Sequence, residues 1–173
     1  MKNLEKESLE TLLSIMGSTP SFKIAHFTDS GGELIEMLSE YCISHEYGYQ
    51  INCTEKTFYE KTAEHYKDKK QTKVVNFPLQ RRSYMIQAQE YNFIFVTIEI
   101  EESFRKDFLQ RVHKIIRSAG NLVLFLPKKG YAERDNWLAT LEESLYVSTS
   151  VIDDMFEHYD IIISRKMHGW GDS

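Results

Sequence analysis

The sequence predicts an α/β protein: a three-layer sandwich with helices on both faces of a mostly parallel, seven-stranded sheet that ends in an antiparallel hairpin. Three observations carry this expectation. Apolar runs rich in β-branched and aromatic residues alternate with stretches of helical period along most of the chain. Two of those runs, "FIFVTIEI" (93–100) and "NLVLFLP" (121–127), are apolar nearly throughout, as strands buried on both faces are. The last two strand-like runs, 145–152 and 159–167, are separated by only 6 residues. That is too short for a crossover helix, so they pair antiparallel.

The elements follow in order. Leu4, Leu9, Leu12, Leu13 and Met16 share one face of a helix over 4–16, which Gly17 and Pro20 end. "FKIAHFT" (22–28) is a strand, and Leu34, Ile35, Leu38 and Tyr41 mark a helix over 33–45. "YGYQINCT" (47–54) is a second strand, with a helix over 55–66 behind it. After the lysine-rich "KDKKQTK" comes a short strand, 73–77. Residues 83–88 are too few for a helix. A helix over 103–118 links the two apolar strands and stops at Ala119-Gly120, and a last helix over 135–143 has Asp135 as its cap. No repeat or linker interrupts the series, so 1–173 is expected to form one domain, with 1–20 packing on its core.

Composition narrows the function. The 173 residues are 42% hydrophobic and 27% charged, enough for a proper core. No run of 18 or more apolar residues exists to span a membrane, and the first residues, "MKNLEKESLETLLSIMG", lack the apolar stretch of a secretory signal. Cys42 and Cys53 have no metal-like spacing and read as reduced thiols of a cytoplasmic protein. Twenty-one basic against 26 acidic residues, a net charge of −5, disfavours general nucleic-acid binding. None of the six histidines pairs with another at ligand spacing on one element, so no metal is expected.

The stretch "FKIAHFTDSGGELIEMLSEY" (22–41) runs from strand through a small polar turn, Thr28-Asp29-Ser30-Gly31-Gly32, into a helix. This is how many α/β proteins build a nucleotide pocket, because glycines permit φ > 0 and close approach of backbone to ligand. Taken alone, the turn reads more simply as a helix start, with Asp29 or Ser30 as cap. With "FIFVTIEIEESFRKDFLQRVHKIIRSAGNLVLFLP" and "NWLATLEESLYVSTSVI…YDIIISRKM", the chain resembles the class I S-adenosylmethionine-dependent methyltransferases over nearly its whole length.

That resemblance implies a Rossmann-like fold and an S-adenosylmethionine pocket lined by Thr28, Asp29, Ser30, Gly31 and Gly32 after the first strand. Thr54 and Glu55 after the second strand would meet the ribose, Asn76 and Phe77 after the third the adenine, and Thr97 would follow the fourth. Glu99 is the position for a base where the acceptor must lose a proton. The family's acidic-x-G-x-G-x-G loop is reduced here: His26 or Thr28 stands at the acidic position, and only Gly31 and Gly32 remain. No N/D-P-P-Y motif of the amino-methylating nucleic-acid branch occurs. Two other functions stay open: a non-catalytic interaction or regulatory module on the same scaffold, and an α/β domain for a different nucleotide.

Further residues are weighed by position. His26, inside a central strand, is expected to be a neutral, hydrogen-bonded core residue. Arg81 and Arg82 after the third strand, Lys128 and Lys129 after the fifth and His158 in the last turn lie where parallel strands end, so they are candidates for one rim facing an anionic substrate. Asp153 and Asp154 share that turn. Solvated loop charges are the alternative. His168 and Trp170 in the tail "SRKMHGWGDS" follow an antiparallel strand and so belong at the opposite edge, in packing or in contact with a second copy or a protein partner.

Overall fold

Strand β1 (Lys23–Thr28) has no face for water: every residue after Lys23 is buried, so it lies inside the sheet. The computed structural model describes residues 1, 4–16, 21–86, 89–128 and 130–167. Helix α1 (Lys6–Ile15) precedes β1. Then follow α2 (Gly32–Ser44), β2 (Gly48–Cys53), α3 (Lys56–His65), β3 (Thr72–Asn76), β4 (Tyr91–Val96), α4 (Glu102–His113), β5 (Ile116–Pro127), α5 (Tyr131–Glu143), β6 (Tyr146–Ile152) and β7 (Tyr159–Lys166). The strands form one seven-stranded sheet in the order β3-β2-β1-β4-β5-β7-β6, parallel except for β7. The Rossmann-like sandwich expected from the sequence is thus present.

Period-two alternation divides the core into two layers. On one face Ile24, Ile51, Phe95 and Val123 meet Leu9, Leu12 and Leu13 of α1, Leu34, Ile35 and Leu38 of α2, and Phe58 and Tyr59 of α3. On the other, Ala25, Phe27, Ile94, Val96, Leu122 and Leu124 meet Phe108, Leu109 and Val112 of α4 and Trp137 and Leu141 of α5. Between β3 and β4 the described residues contain no helix. Instead Tyr84 packs its ring on Phe27, Phe77 and Phe108, and Arg111 of α4 donates to the carbonyls of Leu79 and Arg81 at 3.3 and 2.9 Å.

Two helix boundaries differ from expectation. The helix expected over 103–118 ends at His113, because Ile115 and Ile116 turn into the core and Tyr91 N–H bonds the Ile115 carbonyl at 2.8 Å. The last helix begins at Tyr131, before Asp135, with Gly130 at its N-cap. Arg105, 5% exposed, ties α4 to α5: Nε donates to the Ile100 carbonyl at 3.0 Å, Nη1 to Asn136 at 2.6 Å, and Nη2 to Glu133. Its guanidinium lies 4.8 Å from the Trp137 ring centroid, a cation–π contact in place of water. Strand β7 ends at the amino edge of the sheet, where Lys166 Nζ donates to the Ile116 carbonyl at 3.1 Å. His168 and Trp170 beyond it, like Gly17, Pro20 and Lys129, lie outside the described residues.

His26 sits in the middle of this core, fully buried. The Tyr49 hydroxyl lies 2.7 Å from Nδ1, and Nε2 lies 2.9 Å from Thr97 Oγ1. Thr97 Oγ1 donates its one proton to the Phe27 carbonyl at 3.3 Å, so it accepts from His26 Nε2–H, and Nδ1 accepts from Tyr49. The imidazole is neutral with both nitrogens satisfied, and burial lowers its pKa to about 3. The same burial pushes the Cys42 and Cys53 thiols up to about 12 and about 11, so neither is a nucleophile at neutral pH.

Two outcomes follow from these contacts. The unfolded chain protonates His26 near its ordinary value of 6.5 while the folded chain resists until about pH 3. Its contribution is therefore complete above pH 6.5 and is lost as pH falls through that window, by about 1.4 kcal/mol per pH unit. Urea unfolding of the wild type and His26→Gln between pH 7 and pH 5 will show that slope in the wild type and its loss in the variant; equal slopes would refute it. At the bulge between the Tyr91/Ile116 and Phe93/Asn121 pairs, a Cβ on Gly120 would lie 2.8 Å from the Arg117 carbonyl and 3.0 Å from the Asn92 carbonyl. Gly120→Ala is expected to lower unfolding free energy by about 1–3 kcal/mol in the same assay.

Candidate functional site

Parallel strands β1, β2, β3 and β4 all end on one edge, and backbone bonds lock their ends together. Thr97 N–H donates to the Phe27 carbonyl at 3.1 Å, Thr54 N–H to the Thr28 carbonyl at 3.1 Å, and Phe77 N–H to the Cys53 carbonyl at 2.8 Å. The chain order reverses at β1, which has β2 on one side and β4 on the other. Loops leaving such a switch point diverge and open a crevice, the usual ligand position in open α/β sheets.

The turn Thr28-Asp29-Ser30-Gly31-Gly32 leaves β1 at this crevice. Thr28 is fully buried and its hydroxyl donates to the Ser30 carbonyl at 2.6 Å, folding the turn back on itself. Asp29 is exposed and accepts from the Ser30 hydroxyl at 3.1 Å. Gly31 has φ 84° and ψ 53°, a left-handed conformation that favours glycine, and it starts α2 without any side-chain cap. The helix-start alternative with Asp29 or Ser30 as cap is therefore absent. A Cβ at Gly32 would meet nothing within 4 Å, so the loop backbone borders open space. A Cβ at Gly31 would lie 2.9 Å from Met1 Sδ. A cavity of about 280 Å³ opens beside the two glycines, walled by Met1, Leu4 and Met37. No sequence signal marked Met1 as a neighbour of this loop.

The other sequence-derived positions are distributed unevenly. Glu55, exposed after β2, is the N-cap of α3: its carboxylate accepts from Thr57 N–H at 2.9 Å and Phe58 N–H at 2.6 Å, and these bonds hold its pKa below the usual range. Thr54 is half-buried beside it, with its hydroxyl 3.5 Å from the Thr28 carbonyl. Asn76 is exposed at the end of β3, whereas the Phe77 side chain is fully buried against Phe27 and Tyr84. Thr97 has its hydroxyl committed to His26 and Phe27, and Glu99 is exposed beyond β4. Asp29, Glu55 and Glu99 thus put exposed carboxylates at the ends of three adjacent strands.

The described basic residues are spread along the carboxyl edge. Arg81 and Arg82 follow β3 and Lys128 follows β5, four strand spacings apart, or about 19 Å. Arg81 stacks its guanidinium 4.9 Å from the Phe77 ring centroid. Lys128 Nζ donates to the Asp153 carbonyl at 2.6 Å and lies 3.9 Å from Asp160. Arg134, unmarked in the sequence, lies 3.8 Å from both Asp153 and Asp160, so each cation of this group has an acidic partner. His158 does reach the carboxyl edge, where its carbonyl accepts from Lys128 N–H at 3.1 Å. Asp154, like Asp153, is exposed. Among the described residues no three His, Cys, Asp or Glu side chains converge as metal ligands, and no helix is long and apolar enough to cross a membrane.

No family model and no curated protein matches the sequence. Solved structures do match its fold. A SAM-dependent O-methyltransferase from Thermotoga maritima superposes with a TM-score of 0.72 at 9% identity, covering 98% of this chain and 68% of that one. The N-methyltransferase NodS from Bradyrhizobium japonicum gives 0.69 at 11% identity, covering 94% of this chain and 96% of its own. The C-methyltransferase (CMeT) domain of the citrinin polyketide synthase gives 0.71 at 12% identity, covering 93% of this chain, which spans only 51% of that domain's structure. With each of these superposing over more than nine-tenths of this chain's length, the chain has the class I methyltransferase-like fold.

Proposed function

We propose that the protein binds S-adenosylmethionine in the crevice after β1 and acts as a methyltransferase. The observation that carries this is the edge itself: a left-handed glycine turn bordering open space, flanked by exposed carboxylates at the ends of β1, β2 and β4. Bound there, the group would supply an electrophilic methyl on a cationic sulfonium. An acidic, glycine-opened edge suits a ligand carrying a sulfonium and an ammonium.

Within this proposal Gly31 and Gly32 let the ligand approach the backbone, and Asp29 faces its ammonium. Glu55 keeps lone pairs beyond those engaged by α3 and reaches the ribose hydroxyls. Asn76 borders the adenine with polar atoms, while Phe77 contributes backbone only, its ring being in the core. Glu99 takes the proton of an acceptor whose nucleophile carries one. The rest of the rate comes from alignment and exclusion of water, which demand no catalytic signature in sequence. A cationic rim for an anionic acceptor has less support, since Lys128 is internally paired and β3, which the arginines follow, lies about 19 Å from β5.

Calorimetric titration with S-adenosylmethionine and S-adenosylhomocysteine tests this. One-to-one binding with a Kd on the order of micromolar is expected, weakened at least about tenfold by Gly31→Val, which strains the left-handed turn and crowds Met1 beside it. No heat from correctly folded protein at millimolar ligand would overturn the proposal and leave the fold to serve a non-catalytic role.

A further inference from the structure

We infer that the opposite, amino edge of the sheet carries a second binding site, for a small phosphate-bearing molecule. It lies in a cleft of about 250 Å³ where β1, β2, β3 and β4 begin. Register places Lys23 beside Gly48 and Gln50 beside Lys73. Alternation puts these four residues on the sheet face that carries Ala25 and Phe27, the α4–α5 face. In a doubly wound sheet a crossover helix covers such a face, and its residues are apolar. Here the described part of the β3–β4 connection has no helix, and Tyr84 covers only the carboxyl half, over Phe27 and Phe77. Among the described residues nothing covers the amino half, and the side chains lining it are polar.

The lining has one sign of charge. Among the described residues Lys23, Lys70 and Lys73 border the cleft and no carboxylate does, although acids outnumber bases in the chain by 26 to 21. Three ammonium groups around one concavity repel each other and concentrate anions there. The wall is built and buried. The Tyr91 hydroxyl donates to Gln50 Oε1 at 2.7 Å, and Gln50 Nε2 donates to Asn52 at 2.8 Å, so Gln50, 4% exposed, is held in one orientation. The Tyr91 hydroxyl also lies 3.3 Å from Gln89 Oε1, which ties Gln89 to the same wall. Gly48 leaves the floor empty between the lysines: a Cβ there would meet only Lys23 Cγ, at 3.7 Å. Lysine ammoniums around an open floor match the oxygens of a phosphate group. The volume falls below the roughly 300–1,000 Å³ of pockets for drug-sized ligands and fits a phosphate or diphosphate group with little else enclosed.

The test is calorimetric titration of the full chain at low salt with inorganic pyrophosphate and, separately, ADP. One-to-one binding is expected, weakened at least about tenfold both by the Lys23→Gln/Lys73→Gln pair and by Gly48→Leu, which fills the floor without touching charge. Tighter binding of ADP assigns a nucleotide; equal affinities assign the phosphate group alone; either upholds the site. The site is overturned if folded wild-type protein binds neither probe at about 10 mM, or if both variants bind as the wild type does. A short RNA that binds through these lysines while both probes fail would overturn it too, in favour of a polymer. S-adenosylmethionine binding at the other edge is measured separately, so the two proposals stand or fall independently.

Discussion

The Phe27 carbonyl accepts both the backbone N–H and the hydroxyl of Thr97, at 3.1 and 3.3 Å, and this joint fixes the edge where the loops leave the sheet. It fastens the end of β4 to the end of β1, and its geometry requires the Thr97 hydroxyl to accept from His26. That in turn sets the tautomer of His26 and directs the Tyr49 hydroxyl inward. Thr28 plays the matching part on the other side, tying down both the β2 end and its own turn. A threonine therefore closes each of β1, β2 and β4, and the hydroxyls of Thr28 and Thr97 are spent on stiffening the edge. In the proposed site, ligand recognition is left to backbone and carboxylates.

That division explains what could be read in the sequence. The strands were legible because burial on both faces leaves unbroken apolar runs, and the antiparallel pairing of the last two followed from the short connection between them. The core histidine was legible because a strand such as "KIAHFT" offers it no exit. Contacts made by long polar side chains across the fold were not legible. Arg105 has the local context of a solvated helix residue, yet Glu133, Asn136 and Trp137, about thirty positions later, give it a buried place. The helix end at His113 was missed because "KIIRS" continues a helical period, while tertiary burial of Ile115 and Ile116 overrides that propensity.

The site residues divide along the same line. Glycine and small polar residues after β1 carry backbone information, and the turn they imply exists, with Gly31 left-handed. Glu55 and Phe77 were assigned by position along the chain, which fixes the strand end but not the direction of the side chain. One caps α3 and the other enters the core. For the basic residues a common edge is not a common place: strand order separates β3, which Arg81 and Arg82 follow, from β5, which Lys128 follows, by three intervening strands. Edge membership follows from sequence, whereas distance along the edge depends on a topology that chain order leaves ambiguous.

A net charge of −5 hides a division between the two edges of one sheet. Lys23 and Lys73 stand where β1 and β3 start, and Asp29, Glu55 and Glu99 follow where β1, β2 and β4 end. Six residues separate Lys23 from Asp29, about 20 Å along an extended strand and more than twice the screening length near 8 Å at physiological salt. Charges that far apart barely offset each other, so each edge presents its own field. Parallel strands make this possible, since every start lies on one side and every end on the other. An acidic chain can therefore hold a cation at its carboxyl edge and an anion at its amino edge. The overall balance of charge describes neither.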